Sequence, residues 1–154
     1  MPDCIPATIM IGGKLRKAKL EEFRALLPPD GDLDEAIEKG EAFAGSDGDA
    51  AWGDFPELTA FCRKNKLTYR HSADAKYEYN GEVFWWEPGM KEPITSLATQ
   101  EGRVYITGER LKILLNQGGT LRDVVDDLER FAKPVPPLEV VGVTRKRRRK
   151  EGRT

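Results

Sequence analysis

The sequence feature that most constrains the fold is the dipeptide Asn80-Gly81, which lies between two aromatic-rich stretches, residues 77–79 and 82–86. Asn-Gly supplies the two positive φ angles that a type I′ turn requires, and this turn connects adjacent antiparallel strands. The dipeptide therefore predicts a β-hairpin with a two-residue turn. In that register Ala75 lies opposite Trp86.

The same register predicts which side chains of the hairpin face the core, because successive residues of a strand point to opposite faces. Lys76 and Trp85 would lie across from each other on the outer face, close enough for a cation–π contact. Both are therefore candidates for binding a partner. The core face would carry four aromatic residues: Tyr77, Tyr79, Phe84 and Trp86.

Apolar periodicity and turn residues place the other elements. Ala7, Ile9 and Ile11 alternate as one face of a strand, and Thr107 and Thr120 are suited to cap helices. Strands are predicted over residues 6–13, 103–107 and 136–143, helices over 16–27, 33–43, 56–65, 108–115 and 121–132, an exposed turn over 45–51 and a loop over 87–100. The last helix is predicted to bury one stripe: Leu121, Val124, Val125, Leu128, Phe131 and Ala132. These elements predict one α+β domain over residues 1–143, with a small, mostly antiparallel sheet packed on one side by three or four helices.

The C-terminal residues 144–154 are strongly basic, although the whole chain has a formal net charge of −1. They hold seven Lys/Arg and one Glu, whereas residues 1–143 hold 18 Lys/Arg and 25 Asp/Glu. A flexible tail of this charge is expected to contact nucleic-acid phosphates without reading sequence. A solubilising tail and a nuclear localisation signal are the alternatives. The candidate phosphate-binding residues are Arg145, Lys146, Arg147, Arg148, Arg149 and Lys150.

Residues 30–57 are strongly acidic, with ten Asp/Glu and one lysine, Lys39. Clustered carboxylates on a small fold can occupy the basic groove of a nucleic-acid-binding protein. Asp47, Asp49, Trp52 and Asp54 are therefore candidates for contacting a partner. The alternative is a solvated acidic face with Trp52 and Phe55 packed against the core.

Few residues suggest a catalytic, metal-binding or phosphate-binding site. His71 is the only histidine and has Ser72 and Asp74 beside it, but no Gly-x-Ser-x-Gly elbow presents the serine as a nucleophile. The spacing of Asp47, Asp49 and Asp54 does not fit an EF-hand, and one histidine with two distant cysteines is too few ligands for a zinc site on this chain. Gly12-Gly13-Lys14 lacks the Ser/Thr and the further glycine of a phosphate loop. No catalytic residue, metal or cofactor is predicted.

The leading interpretation is a non-enzymatic accessory protein of a nucleic-acid or nucleoprotein complex. In this interpretation the basic tail contacts phosphate and the domain contacts protein. A second is an acidic inhibitor or regulator that occupies a partner's basic groove, as phage-encoded nucleic-acid mimics directed at CRISPR complexes do. A third is a hydrolase that uses His71. The chain has no apolar run near the roughly 20 residues that span a bilayer, and its start does not resemble a signal peptide. We therefore expect a cytoplasmic protein, or a nuclear one in a eukaryote, with no membrane partner.

Overall fold

A computed structural model describes residues 4–74, 81–99 and 102–142 as an α+β fold. Within these ranges the chain forms seven strands and five α-helices. Each of the five α-helices overlaps one of the five predicted helical ranges, but five exceeds the three or four helices that were predicted to pack against the sheet. In chain order the elements are β1 (Cys4–Arg16), α1 (Leu20–Leu26), α2 (Leu33–Lys39), β2 (Phe43–Ala51), α3 (Pro56–Lys64), β3 (Thr68–Ala73), β4 (Gly81–Trp86), β5 (Ile94–Ala98), β6 (Val104–Tyr105), α4 (Gly108–Asn116), α5 (Leu121–Arg130) and β7 (Leu138–Val141).

The strands form one sheet in the order β2-β1-β3-β4-β5-β6, and neighbours on this path are antiparallel. The short strand β7 lies parallel to the end of β1, with Gly13 opposite Leu138. The backbone of β1 lies very close to the residues before β7, because a Cβ added at Gly12 would lie 1.6 Å from the carbonyl oxygen of Pro136. Only a residue without a side chain fits at that point of β1.

The larger hydrophobic core lies on the face of β1 that carries Ala7, Ile9 and Ile11, which confirms the predicted alternation. Helices α1, α2 and α3 bury residues against this face, including Phe23 and Phe61, whose ring centroids are 5.5 Å apart. The apolar periodicity of these helices thus determines which side of the sheet they cover.

A second hydrophobic cluster covers the opposite face of the sheet. It joins Val83 and Trp85 of β4 to Ala98, Phe131 and Val135. Trp85 is only 1% exposed, so the prediction of an outward-facing Trp85 is wrong. The reason is that the residues at and after the end of α5 cover the face on which Trp85 lies. Its predicted neighbour, Lys76, lies outside the described residues.

The two-residue hairpin register is also wrong. Strand β4 begins at Gly81 and pairs antiparallel with β3, but Trp86 lies opposite Tyr69 rather than Ala75. Two stacked aromatic pairs accompany this register: Tyr69 with Trp86, at 6.2 Å between ring centroids, and His71 with Phe84, at 5.0 Å. These cross-strand contacts favour the observed register of β3 and β4. Asn80, Tyr77 and Tyr79 lie outside the described residues.

Two segments predicted to be irregular are strands. Residues 45–51 belong to β2, and residues 94–98 within the predicted loop form β5. Glycine, serine and aspartate give β2 little intrinsic strand preference, but Phe43, Gly45 and Ala50 are buried and the strand pairs with β1. Tertiary pairing thus decides a conformation that local composition does not favour.

The C-terminal helices begin where the sequence predicts. The side chains of Thr107 and Thr120 accept hydrogen bonds from the backbone N–H groups of Arg110 and Asp123, which confirms both caps. The predicted stripe of α5 is only partly buried, because Val124 and Phe131 are in the core whereas Leu121 is 62% exposed. In the described part of the chain no helix is long and apolar enough to cross a membrane.

Candidate partner-binding surface

Four of the six residues that the sequence proposed for partner binding lie on β2 or in the turn after it, and each is exposed or half-buried. Asp47 and Asp49 lie on β2, and Trp52 and Asp54 follow in the turn that leads into α3. Trp85 is removed from the set because it is buried. Lys76 lies outside the described residues, and so do the basic residues 145–150, whose phosphate contacts remain a prediction.

The ten acidic residues of the segment 30–57 lie on α2, β2 and the start of α3 and on the residues next to these elements, and we call this segment the acidic edge. Strand β2 is the outermost strand at this end of the sheet. Helix α2 contacts β2, and Asp30 forms a β-bridge with Ser46. Nine of the ten carboxylate residues are exposed and the tenth, Asp47, is half-buried.

Most of this negative charge is not neutralised by neighbouring cations in the described ranges. Among the described residues, Lys and Arg form two ion pairs with it: Arg24 with Asp34 and Lys39 with Glu35. Hydrogen bonding to Arg24 lowers the pKa of Asp34 from its usual value. Both pairs are at the surface, where water screens them, so they reduce the net charge without contributing much stability. The acidic edge retains a strong net negative charge.

Trp52 is the most exposed large apolar residue described, at 63%. It has a positive φ of 58°, and Gly53 after it has φ 65°, so both central residues of the turn from Ala51 to Asp54 are left-handed. The N–H of Asp54 donates to the carbonyl of Ala51 at 3.2 Å and closes this turn. A left-handed residue that is not glycine costs about 1–2 kcal/mol. The alternative in which Trp52 and Phe55 both pack against the core is wrong for Trp52 and correct for Phe55.

His71 holds this turn onto the sheet. It lies on β3, an interior strand, rather than in a turn or at a sheet edge, and it is 3% exposed. Its Nε2 lies 2.6 Å from the carbonyl oxygen of Gly53 and must carry the proton that is donated there. A Cβ added at Gly53 would lie 2.8 Å from that of Ala73, so the turn also packs closely against β3.

The environment of His71 favours its neutral form. Burial lowers the pKa of His71 below its usual value, and the hydrogen bond to Gly53 and the charge of Asp54 oppose this only in part. Ser72 is the next residue of the same strand and therefore points to the opposite face. The histidine and this serine cannot form a nucleophile–base pair.

Described residues line a larger and a smaller cavity. One, of about 420 Å³, lies between β5, β6 and the helices α4 and α5, and none of the proposed partner-binding residues lines it. The other, of about 250 Å³, is lined by Asp54 and His71 among others. Among the residues that the structure describes, no three His, Cys, Asp or Glu side chains are grouped to hold a metal ion.

Comparison with known proteins gives no relative from which a function could be transferred. No protein-family model matches the chain, and neither the curated proteins nor the solved structures include a significant match.

Proposed function

We propose that the protein is a non-enzymatic accessory protein of a nucleoprotein complex. Its domain binds a basic protein through the acidic edge, and its basic residues 145–150 contact nucleic-acid phosphate. The observation that carries the proposal is an exposed tryptophan in a left-handed conformation directly after the acidic strand β2.

The acidic edge supports a basic partner because its charge is large, exposed and mostly unpaired in the described ranges. Complementary charge accelerates association and selects the partner, but contributes less to affinity than a buried aromatic contact does. Tryptophan is the residue type most often found to dominate binding energy at interfaces. Trp52 would supply affinity, and the carboxylates around it would supply selectivity.

The turn that carries Trp52 is suited to this use because it is already fixed in the unbound chain. Gly53 is bound by His71 and packs against β3, so the backbone at Trp52 loses little conformational freedom on binding. Preorganisation of this kind reduces the entropic cost of association. The backbone strain at Trp52 has no evident role in packing, which is consistent with a role in recognition.

The acidic edge can be tested by charge reversal. Asp47→Lys with Asp49→Lys should abolish capture of basic nucleic-acid-binding proteins from host lysate treated with nuclease. A matched control, Glu109→Lys with Glu129→Lys, makes the same change in net charge on exposed residues of α4 and α5. Equal capture by both double variants would reject the acidic edge as the binding surface.

The tail can be tested separately by deleting residues 144–154 and measuring anisotropy of a labelled oligonucleotide at two salt concentrations. If all six cations contact duplex phosphate, log K should fall with log salt with a slope of about −5. Deletion should remove both the affinity and the slope. Unchanged affinity would show that the tail does not contact nucleic acid.

The second candidate is an inhibitor or regulator that occupies the basic groove of a nucleic-acid-binding protein. It is favoured by the same acidic edge and requires no contribution from the tail. The two candidates differ in two results. For an inhibitor, deletion of the tail leaves function intact, and this chain blocks the binding of the partner to nucleic acid.

A further inference from the structure

The smaller cavity is lined by both hydrogen-bond donors and hydrogen-bond acceptors. It measures about 250 Å³ and lies between α3 and the strands β3 and β4. The ring of Phe84 and Pro93 are apolar parts of its lining, and Arg63, Tyr69, Asp54 and His71 are polar parts. Its volume is below the roughly 300–1,000 Å³ of pockets for drug-sized ligands, so it suits a small molecule.

Arg63 and Tyr69 provide hydrogen-bond donors. The Nη1 of Arg63 donates to the Tyr69 hydroxyl at 2.8 Å, which uses the oxygen of Tyr69 as an acceptor and leaves its own O–H to donate. Burial raises the pKa of Tyr69, although Arg63 opposes this, so the hydroxyl keeps its proton. A guanidinium beside a phenol is a favourable site for a carboxylate.

His71 and Asp54 provide acceptors. Because Nε2 of His71 donates to Gly53, Nδ1 of the neutral ring carries a lone pair. That nitrogen lies 3.9 Å from Oδ1 of Asp54, too far for a hydrogen bond, and has no hydrogen-bond partner among the described residues. The His71 side chain is 4% exposed. The Oδ1 of Asp54 accepts a hydrogen bond from the backbone N–H of Phe55 at 2.8 Å, but no donor of the described residues lies between this carboxylate and Nδ1 of His71. An ammonium group could donate to both.

We propose that this cavity binds a small zwitterion of the free amino-acid class. The carboxylate of the ligand contacts Arg63 and Tyr69, and its ammonium group contacts Asp54 and Nδ1 of His71. One cation and one anion on the lining select a ligand that carries both charges over a simple anion or a simple amine. Because Asp54 is about half exposed, the ligand can enter from solvent on that side.

Binding can be measured on the full chain by calorimetry and thermal shift. The probes are the individual standard amino acids, with acetate and methylammonium as single-charge controls. At least one amino acid should bind saturably at concentrations up to about 10 mM, and each single-charge probe should bind at least about tenfold more weakly. Absence of saturable amino-acid binding overturns the proposal, and so does equal binding of acetate, which would indicate an anion site.

Variants test the assigned roles. Arg63→Gln and Asp54→Asn should each weaken amino-acid binding about tenfold or more, whereas the exposed neighbours Lys64→Gln and Glu57→Gln on α3 should not. Tyr69→Phe keeps the ring that stacks on Trp86 and removes only the hydroxyl, so it tests the donor role if an Arg63 variant folds poorly. Unchanged affinity in Tyr69→Phe and Asp54→Asn would overturn the assignment. None of these outcomes depends on whether the acidic edge binds a protein.

Discussion

Replacing His71 with phenylalanine tests whether this histidine holds the Trp52 turn. Phenylalanine keeps a planar ring that can stack on Phe84, but it has no N–H to donate to the Gly53 carbonyl oxygen, which lies 2.6 Å from Nε2 of His71. That carbonyl would remain buried without its donor. Leaving a buried acceptor unsatisfied costs about 1–3 kcal/mol, so the free energy of unfolding near neutral pH should fall by about that amount.

The same substitution should change how stability depends on pH. Since burial lowers the pKa of His71 in the folded state, the unfolded chain binds a proton at higher pH than the folded chain does. The stability that depends on neutral His71 is therefore fully present above the unfolded pKa of about 6.5 and is lost as pH falls through the lower folded pKa. His71 is the only histidine, so His71→Phe should remove this dependence above the range in which carboxylates titrate.

Urea unfolding of both proteins near pH 7.5 and near pH 5.5 measures both effects, with Ser72→Ala as a control on the opposite face of β3. We expect the wild type to lose stability on acidification and His71→Phe to be weaker but nearly independent of pH. A His71→Phe protein as stable as the wild type near pH 7.5, or a wild type that gains stability on acidification, would refute the reasoning.

Three further results are expected. Gly12→Ala should lower the free energy of unfolding, measured in urea, by about 3 kcal/mol, because the new Cβ would collide with the carbonyl of Pro136. A decrease below about 1 kcal/mol would show that β7 is not held against β1. Thr120→Ala removes the N-terminal capping box of α5 and should cost about 1 kcal/mol; an unchanged denaturation midpoint would contradict the cap. Burial raises the pKa of the Cys62 thiol to about 12, so little thiolate is available to react near pH 8. Mass spectrometry after iodoacetamide treatment should therefore find Cys62 alkylated only in the unfolded protein. Rapid alkylation of Cys62 in the folded protein would show that it is not buried.

Much of the fold follows from local signals. The alternation of Ala7, Ile9 and Ile11 and the capping threonines Thr107 and Thr120 predict elements that the structure contains. These signals are reliable because each depends on residues close together in the sequence. The α+β class follows from them.

The structural features that the sequence did not predict depend on contacts between residues that are far apart in the chain. Residues 45–51 form a strand because β1 pairs with them, and Trp85 is buried because Phe131 and Val135 cover its face of the sheet. The register of β4 is set beside Tyr69 and His71, which no local turn rule includes. In the candidate surface, the acidic charge was evident from composition, but the exposure of Trp52 depends on a left-handed backbone that no neighbouring residue signals.

The most direct test of the central claim is photo-crosslinking from position 52. A benzoylphenylalanine placed there should trap a basic nucleic-acid-binding protein in host cells, and the product should persist after nuclease treatment. Leu121 is equally exposed, at 62% against 63% for Trp52, so the same probe at position 121 controls for exposure alone. Crosslinking of the same protein from both positions, or from neither, would contradict the assignment of Trp52 and the acidic edge as the partner-binding surface.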